Sequence, residues 1–272
     1  MPERQAIGDK ASPRIIAVCG KGGVGKTSIS AMMTKILMEQ GSHRILAIDA
    51  DPAVGLATSL GLPVRKTVDD IRNDLIRDVQ SGLPGDYRET LNRLDYDLLE
   101  ALSEERNLAF LAIGRPETEG CYCQVNDLLK EIIGGLSQKF DVVIIDGEAG
   151  IEQVNRRVME AVTHLILVSD ASQKGIHVCR TIQRVAAAVV SYQQAGLIVN
   201  RVREEDTALL TGLSPLIPIG TIPESEQVRR FDIEGRSLLS LPNCGALQAV
   251  RRCLIHIGPV SYTHLTLPTI TE

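Results

Sequence analysis

The stretch Gly20-Lys21-Gly22-Gly23-Val24-Gly25-Lys26-Thr27 constrains this chain more than any other. It satisfies the pattern G-x-x-x-x-G-K-[ST] in full. A short apolar run, Arg14–Cys19 (RIIAVC), precedes it. A helical pattern follows, with Ile29, Met32, Met33 and Ile36 on one face. A strand that turns through glycines into a helix is a phosphate-binding loop. Glycines let the backbone curl until its N–H groups converge on phosphate oxygens, and the helix N-terminus adds positive potential. The backbone of Gly22, Gly23, Val24 and Gly25, with Lys26, Thr27 and Ser28, is therefore expected to hold a nucleotide. Lys26 is expected to neutralise the β- and γ-phosphates, and Thr27 to bind Mg²⁺ through its hydroxyl.

A phosphate loop at the end of a strand implies a particular sheet, and the rest of the chain supplies it. Apolar runs recur at Arg44–Asp49 (RILAID), Leu108–Ile113 (LAFLAI), Phe140–Ile145 (FDVVII), His164–Val168 (HLILV), Gly196–Val199 (GLIV) and Leu216–Ile219 (LIPI). Between them lie helical patterns. One has Val125, Leu128, Leu129, Ile132, Ile133 and Leu136 at helical spacing, interrupted by Gly134-Gly135. Residues 64–106 are charged and mostly helical, with a turn at GLPGD. Strand–helix alternation of this kind predicts a three-layer α/β fold, a mostly parallel sheet with helices on both faces. Ligands then sit at the carboxyl ends of the strands. We expect one domain over 14–257, a disordered lead over 1–13, and a non-core tail over 258–272, whose sequence GPVSYTHLTLPTITE is Thr-rich and non-periodic.

Carboxylates end two of those strands. Asp146 follows FDVVII and is expected in the Mg²⁺ shell, together with Asp49. Asp49 and Asp51 close the second strand in IDADPAVG, and one of them is expected to orient an attacking water or a Mg-bound water. Composition removes other classes of function. Only 3% of the residues are aromatic and the formal net charge is −5, from 29 Lys plus Arg against 34 Asp plus Glu. Neither suits stacking on single strands or neutralising a phosphate backbone, so no nucleic acid is expected. No stretch approaches the roughly 20 apolar residues of a membrane helix. The segment 246–257 (ALQAVRRCLIHI) is faintly amphipathic, but it is short and poor in basic residues, and reads as a closing helix rather than a membrane anchor. A cytoplasmic location is expected. There the six cysteines stay reduced and form no disulfide framework. Cys19, Cys179, Cys244 and Cys253 are isolated and read as packing residues.

Cys121 and Cys123 differ, because they stand one residue apart in GRPETEGCYC. In extended backbone, residues i and i+2 point to the same side, so C-x-C can aim two sulfurs at one ion. The helical pattern that follows puts a helix N-terminus nearby, which favours thiolate. Two sulfurs are too few for Zn²⁺, which takes four ligands. Two copies related by a two-fold axis would supply four.

The early lysine, Lys21, completes K-G-G-x-G-K-[ST]. This resembles the deviant Walker A loop of the family that includes nitrogenase iron protein and the MinD and ParA positioning ATPases. The resemblance covers roughly residues 14–245. It implies that Lys21 reaches across a homodimer to the partner's nucleotide, and that the dimer forms on ATP binding. It implies a hydrolytic role for Asp51 in DADP, with Asp49 in support, and a switch at DGEAGIE after Asp146. Asn200 in LIVNR, and more weakly Pro223 in TIPES, would contact adenine. The segments GRPETEGCYC and DGEAGIE together are similar to those of the carbon monoxide dehydrogenase nickel-insertion accessory ATPases (CooC-type). That resemblance implies Ni²⁺ or Zn²⁺ held by Cys121 and Cys123 at the dimer interface. Its client would be a carbon monoxide dehydrogenase or related nickel enzyme. DGEAGIE carries no cysteine, unlike the switch of nitrogenase iron protein. The competing expectation is a MinD- or ParA-like positioning or regulatory ATPase in which C-x-C is only structural.

Overall fold

Runs of apolar side chains become central strands when both sheet faces are covered, and this chain covers both. The computed structural model describes residues 12–81, 87–115, 123–147, 158, 161–203, 205 and 213–258. The turn at GLPGD, Cys121, most of DGEAGIE, and nearly all of the lead and tail lie outside them. Strands β1 (Arg14–Gly20), β2 (Ile45–Asp49), β3 (Ser103–Glu105), β4 (Leu108–Ala112), β5 (Val142–Asp146), β6 (Ala161–Ser169), β7 (Ser191–Val202) and β8 (Pro218–Pro223) form one sheet. Its order is β3-β4-β2-β5-β1-β6-β7-β8. Every pairing is parallel except β3 with β4. All five residues of β2, β4 and β5 are buried.

Alternation within β1 shows how the layers are divided. Ile16 and Val18 face one core, with helix α1 (Lys26–Gln40), α2 (Gly55–Leu60), α7 (Glu226–Ile233) and α8 (Gly245–His256). Ala17 and Cys19 face the other, with α3 (Val68–Gln80), α4 (Tyr87–Ala101), α5 (Cys123–Ser137) and α6 (Gln173–Val189). Successive strand residues point to opposite faces, so one apolar strand feeds two cores. The expected three-layer α/β architecture is present.

Several boundaries differ from the sequence reading. The last strand is β8, Pro218–Pro223, and not Leu216–Ile219. Strand β3 lies in the stretch read as mostly helical. Helix α5 runs through Gly134-Gly135, where a Cβ would meet open space. The helix there costs propensity without a steric reason to break. Helix α8 buries Ala246, Leu247, Val250 and Leu254 against the sheet, as a closing helix does. Cys19, Cys179 and Cys253 are buried as packing residues, and Cys244 is half-buried. No helix among the described residues is long and apolar enough to cross a membrane.

Candidate functional site

The sheet brings the ends of several strands to one edge. Strands β1, β2, β5 and β6 are mutually parallel, so Gly20, Asp49, Asp146 and Ser169 all end at the same side of the molecule. Gly20 must be glycine. Its φ is 154°, and a Cβ there would lie 2.1 Å from the Val168 carbonyl oxygen of the adjacent strand. Gly25 opens α1 in the left-handed region at φ 93°. The N–H groups of the first turn of α1 therefore face the loop that precedes them. Lys26 is 8% exposed, and its Nζ donates to the Lys21 carbonyl at 3.3 Å.

Beneath the loop lies a pair of carboxylates. Asp49 and Asp146 are direct neighbours across β2 and β5. Burial pushes the Asp49 carboxyl up to about 7, and the neighbouring Asp146 charge adds to the rise. Burial likewise lifts Asp146 to about 6, although the Thr27 and Ser30 hydroxyls and the Lys26 ammonium hold it down. The two acids are not equivalent. Asp49 spends both oxygens on its own loop, accepting from Asp51 N at 3.1 Å and from Leu56 N at 2.8 Å. Asp146 Oδ1 accepts from the Ser30 hydroxyl at 3.0 Å, while the buried Oδ2 has no hydrogen-bond partner. A buried carboxylate oxygen without a donor is costly unless a cation meets it. Mg²⁺ takes one or two carboxylate or hydroxyl ligands and fills its remaining positions with water and phosphate oxygens. Thr27 and Asp146 fit that demand.

Asp51 is half-buried and faces its own turn, its Oδ1 accepting from Ala53 N at 2.9 Å. The turn closes on Val54, a β-branched residue at φ 51°. Such a residue in the left-handed region is strained, and strain of this kind persists only where surroundings impose it.

The opposite wall comes from β7 and β8. Asn200 Nδ2 donates to the Val24 carbonyl at 2.8 Å, and Arg201 Nη1 donates to the Gly23 carbonyl at 3.1 Å. Gly25 makes room for this: a Cβ there would stand 2.5 Å from Asn200 Nδ2. Between the loop and the wall opens a cleft of about 340 Å³, lined by Gly25, Ser28, Asn200, Pro223, Val228 and Asp232 among others. Both sequence-derived base contacts, Asn200 and Pro223, face it.

Sequence reading missed Ser30, one helical turn beyond Thr27 and thus on the same face of α1. It also missed Arg201 and Asp170, which directly follows the last residue of β6. Lys21 Nζ stands 3.8 Å from Asp170 Oδ2. Cys123 is the first residue of α5, two residues ahead of the expected helical pattern. Among the described residues, no group of three or more His, Cys, Asp or Glu side chains could hold a metal ion.

A glycine-wrapped loop between a central parallel strand and a helix, above strand-terminal carboxylates, defines a nucleotide-binding P-loop NTPase, and the chain belongs to the CobQ/CobB/MinD/ParA nucleotide-binding domain family (CbiA), whose pattern matches residues 15–238. An uncharacterised ATP-binding protein of Methanocaldococcus jannaschii is 36% identical over 235 residues, covering 84% of this chain and 91% of that one. The carbon monoxide dehydrogenase accessory protein CooC of Rhodospirillum rubrum is 28% identical over 251 residues, covering 84% and 91%. Among solved structures, the septum site-determining protein MinD of Pyrococcus horikoshii, complexed with Mg-ADP, superposes with a TM-score of 0.64 at 23% identity, covering 91% and 96%.

Proposed function

We propose that this chain is an ATP-hydrolysing, homodimeric metallochaperone that takes Ni²⁺ or Zn²⁺ on Cys121 and Cys123 and delivers nickel to a carbon monoxide dehydrogenase-type enzyme. One observation carries this reading. The strand that precedes the cysteines in sequence, β4, ends at Ala112 on the same sheet edge as the phosphate loop, and Cys123 opens α5. A metal gripped there would feel the state of the nucleotide. The likeness to CooC supports the same reading.

In this reading the base lies in the cleft between Asn200 and Pro223. The backbone of Gly22 to Gly25 and the first turn of α1 cradle the phosphates, and the buried Lys26 ammonium neutralises them. Thr27 and Asp146 would hold Mg²⁺, with Asp49 bracing the loop beside them; bound Mg²⁺ supplies charge neutralisation at the transferring phosphoryl group. Asp51 orients the attacking water once it leaves the Ala53 amide. Lys21 reaches the nucleotide of a second copy. Closure of two copies brings two C-x-C pairs together, so four thiolates exist only in the closed state and metal affinity follows the nucleotide.

Metal stoichiometry tests the proposal. Under anaerobic conditions with ATP, the wild type is expected to bind about one Ni²⁺ or Zn²⁺ per two chains, four thiolates being one tetrahedral set. The Cys121→Ser/Cys123→Ser variant should bind none while still binding ATP. No metal on the wild type, or equal metal on the variant, favours the alternative: a MinD- or ParA-like positioning or regulatory ATPase. The MinD likeness in fold is the observation behind that alternative.

A further inference from the structure

Lys21 does not hang free beside the loop. Its Nζ stands 3.8 Å from Asp170 Oδ2, with the two side chains 35% and 39% exposed. Asp170 follows the last residue of β6, so the C-terminal end of the strand neighbouring β1 delivers a carboxylate to the first lysine of the phosphate loop.

That carboxylate is held in place from several sides. Its Oδ1 accepts from Ser172 N at 3.1 Å and, closer still, from the Ser172 hydroxyl. Ser172 is itself the N-cap of α6, its oxygen accepting from Gly175 N at 3.0 Å. The Ser169 hydroxyl donates to the Asp170 carbonyl at 2.7 Å. Glycine at 175 is required by the same arrangement, since a Cβ there would lie 2.4 Å from Asp170 Oδ1 and 2.5 Å from Ser169 Oγ. One oxygen is thus locked into the helix cap and the other is presented to Lys21. Partial burial pushes the Asp170 carboxyl up, but the Ser172 hydroxyl and amide and the Lys21 charge outweigh it. The group sits below its usual value and stays ionised.

We propose that Asp170 is a positioning residue that parks Lys21 within its own subunit and must release it before Lys21 can serve a second copy's nucleotide. The proposal rests on the reading of Lys21 as a cross-dimer lysine. The strength of the contact suits this purpose. A half-exposed ion pair at this separation is weak and screened by salt. A triphosphate offers several charges and a drier setting at a closed interface, so it wins Lys21 once two loaded copies meet. The carboxylate thereby sets a threshold: empty or unpaired subunits keep the lysine at home.

Asp170→Asn tests this with little damage to the fold, because the amide oxygen can still accept from Ser172. Two readouts are measured. The first is acylation of Lys21 by an N-hydroxysuccinimide ester on dilute, nucleotide-free protein, quantified by peptide mass spectrometry against the exposed Lys174. Acylation of Lys21 should accelerate in Asp170→Asn while Lys174 is unchanged; an unchanged Lys21 rate overturns the contact. The second is ATP-driven dimerisation by sedimentation. Its apparent Kd should fall about 2- to 10-fold in Asp170→Asn, two weak pairs being removed per dimer. Weaker or unchanged dimerisation overturns the parking role. In a Lys21→Ala background Asp170→Asn should change nothing, and a persisting effect would mean that Asp170 acts only through the α6 cap. If Lys21→Ala alone leaves ATP-driven dimerisation intact, the cross-dimer reading fails, and the acylation arm still decides whether Asp170 holds Lys21.

Discussion

Asp146→Asn is expected to give a protein that is more stable at pH 8 in EDTA and nearly unable to hydrolyse ATP. The wild-type site holds two carboxylates side by side at the ends of β2 and β5, both raised well above the ordinary aspartate value of 3.8. Each unit of such a rise corresponds to about 1.4 kcal/mol of folding free energy lost when the group must ionise. The amide removes one charge, keeps an acceptor for Ser30, and lets Asp49 ionise without its nearest like-charged neighbour, only the weaker push of Asp51 remaining. A gain of about 1–2 kcal/mol would raise Tm by about 2–8 °C in a chain of this size. Activity should fall by on the order of 100-fold or more, because the carboxylate best suited to Mg²⁺ is gone. Thermal melts and phosphate release together check this. A variant that hydrolyses ATP at the wild-type rate would remove Asp146 from the site.

The same pair predicts a pH profile. A carboxyl whose folded pKa exceeds its unfolded value binds its proton more tightly when folded. The folded state then carries more protons between the two values, so stability falls as pH rises. For Asp49 that window runs from about 4 to about 7, and for Asp146 from about 4 to about 6. In EDTA, the wild-type Tm should drop between pH 5 and 7 and level off above. The drop should shrink in Asp146→Asn. Saturating ATP with Mg²⁺ should shrink it in the wild type, since bound cation favours the ionised pair.

Gly20→Ala should be severely damaging. Gly20 is paired in register with Val168, and the new Cβ would lie 2.1 Å from that residue's carbonyl oxygen. The obstacle is backbone in the adjoining central strand, so it cannot rotate away. The φ of 154° adds strain for any residue with a side chain. The expected cost is about 3 kcal/mol or more, with loss of nucleotide binding. Gly22→Ala is the contrast, because a Cβ at Gly22 meets nothing within 4 Å. Its urea midpoint should match the wild type. If Gly20→Ala matches too, the loop does not leave β1 as described.

The strands and the phosphate loop were legible because each has a local cause. Strands covered on both faces must be apolar throughout, and a backbone curled about phosphates must contain glycine at fixed spacing. The failures have physical causes as well. Strand β3 is Ser-Glu-Glu, three polar residues held by pairing with β4 rather than by apolar content. Strand β8 contains Gly220, which reads as a breaker but is kept small by α8: a Cβ there would meet Cys253 Sγ at 2.5 Å. Asp170 escaped notice because the apolar run was read as ending at Val168, one residue short of the Ser169 that closes β6. The bond from Asn200 to Val24 joins residues 176 apart in the chain, and no local pattern announces it.

The two outermost strands say where growth of the sheet stops. On one side β3 is three residues long, with Glu104 and Glu105 exposed. On the other, β8 begins and ends with proline, which has no N–H to offer a new neighbour. Charge, shortness and proline all discourage strand addition. Copies of this chain are therefore steered away from edge-to-edge ladders, the route that leads to open-ended aggregates. The dimer proposed at the loop-bearing rim can come apart without unzipping any backbone.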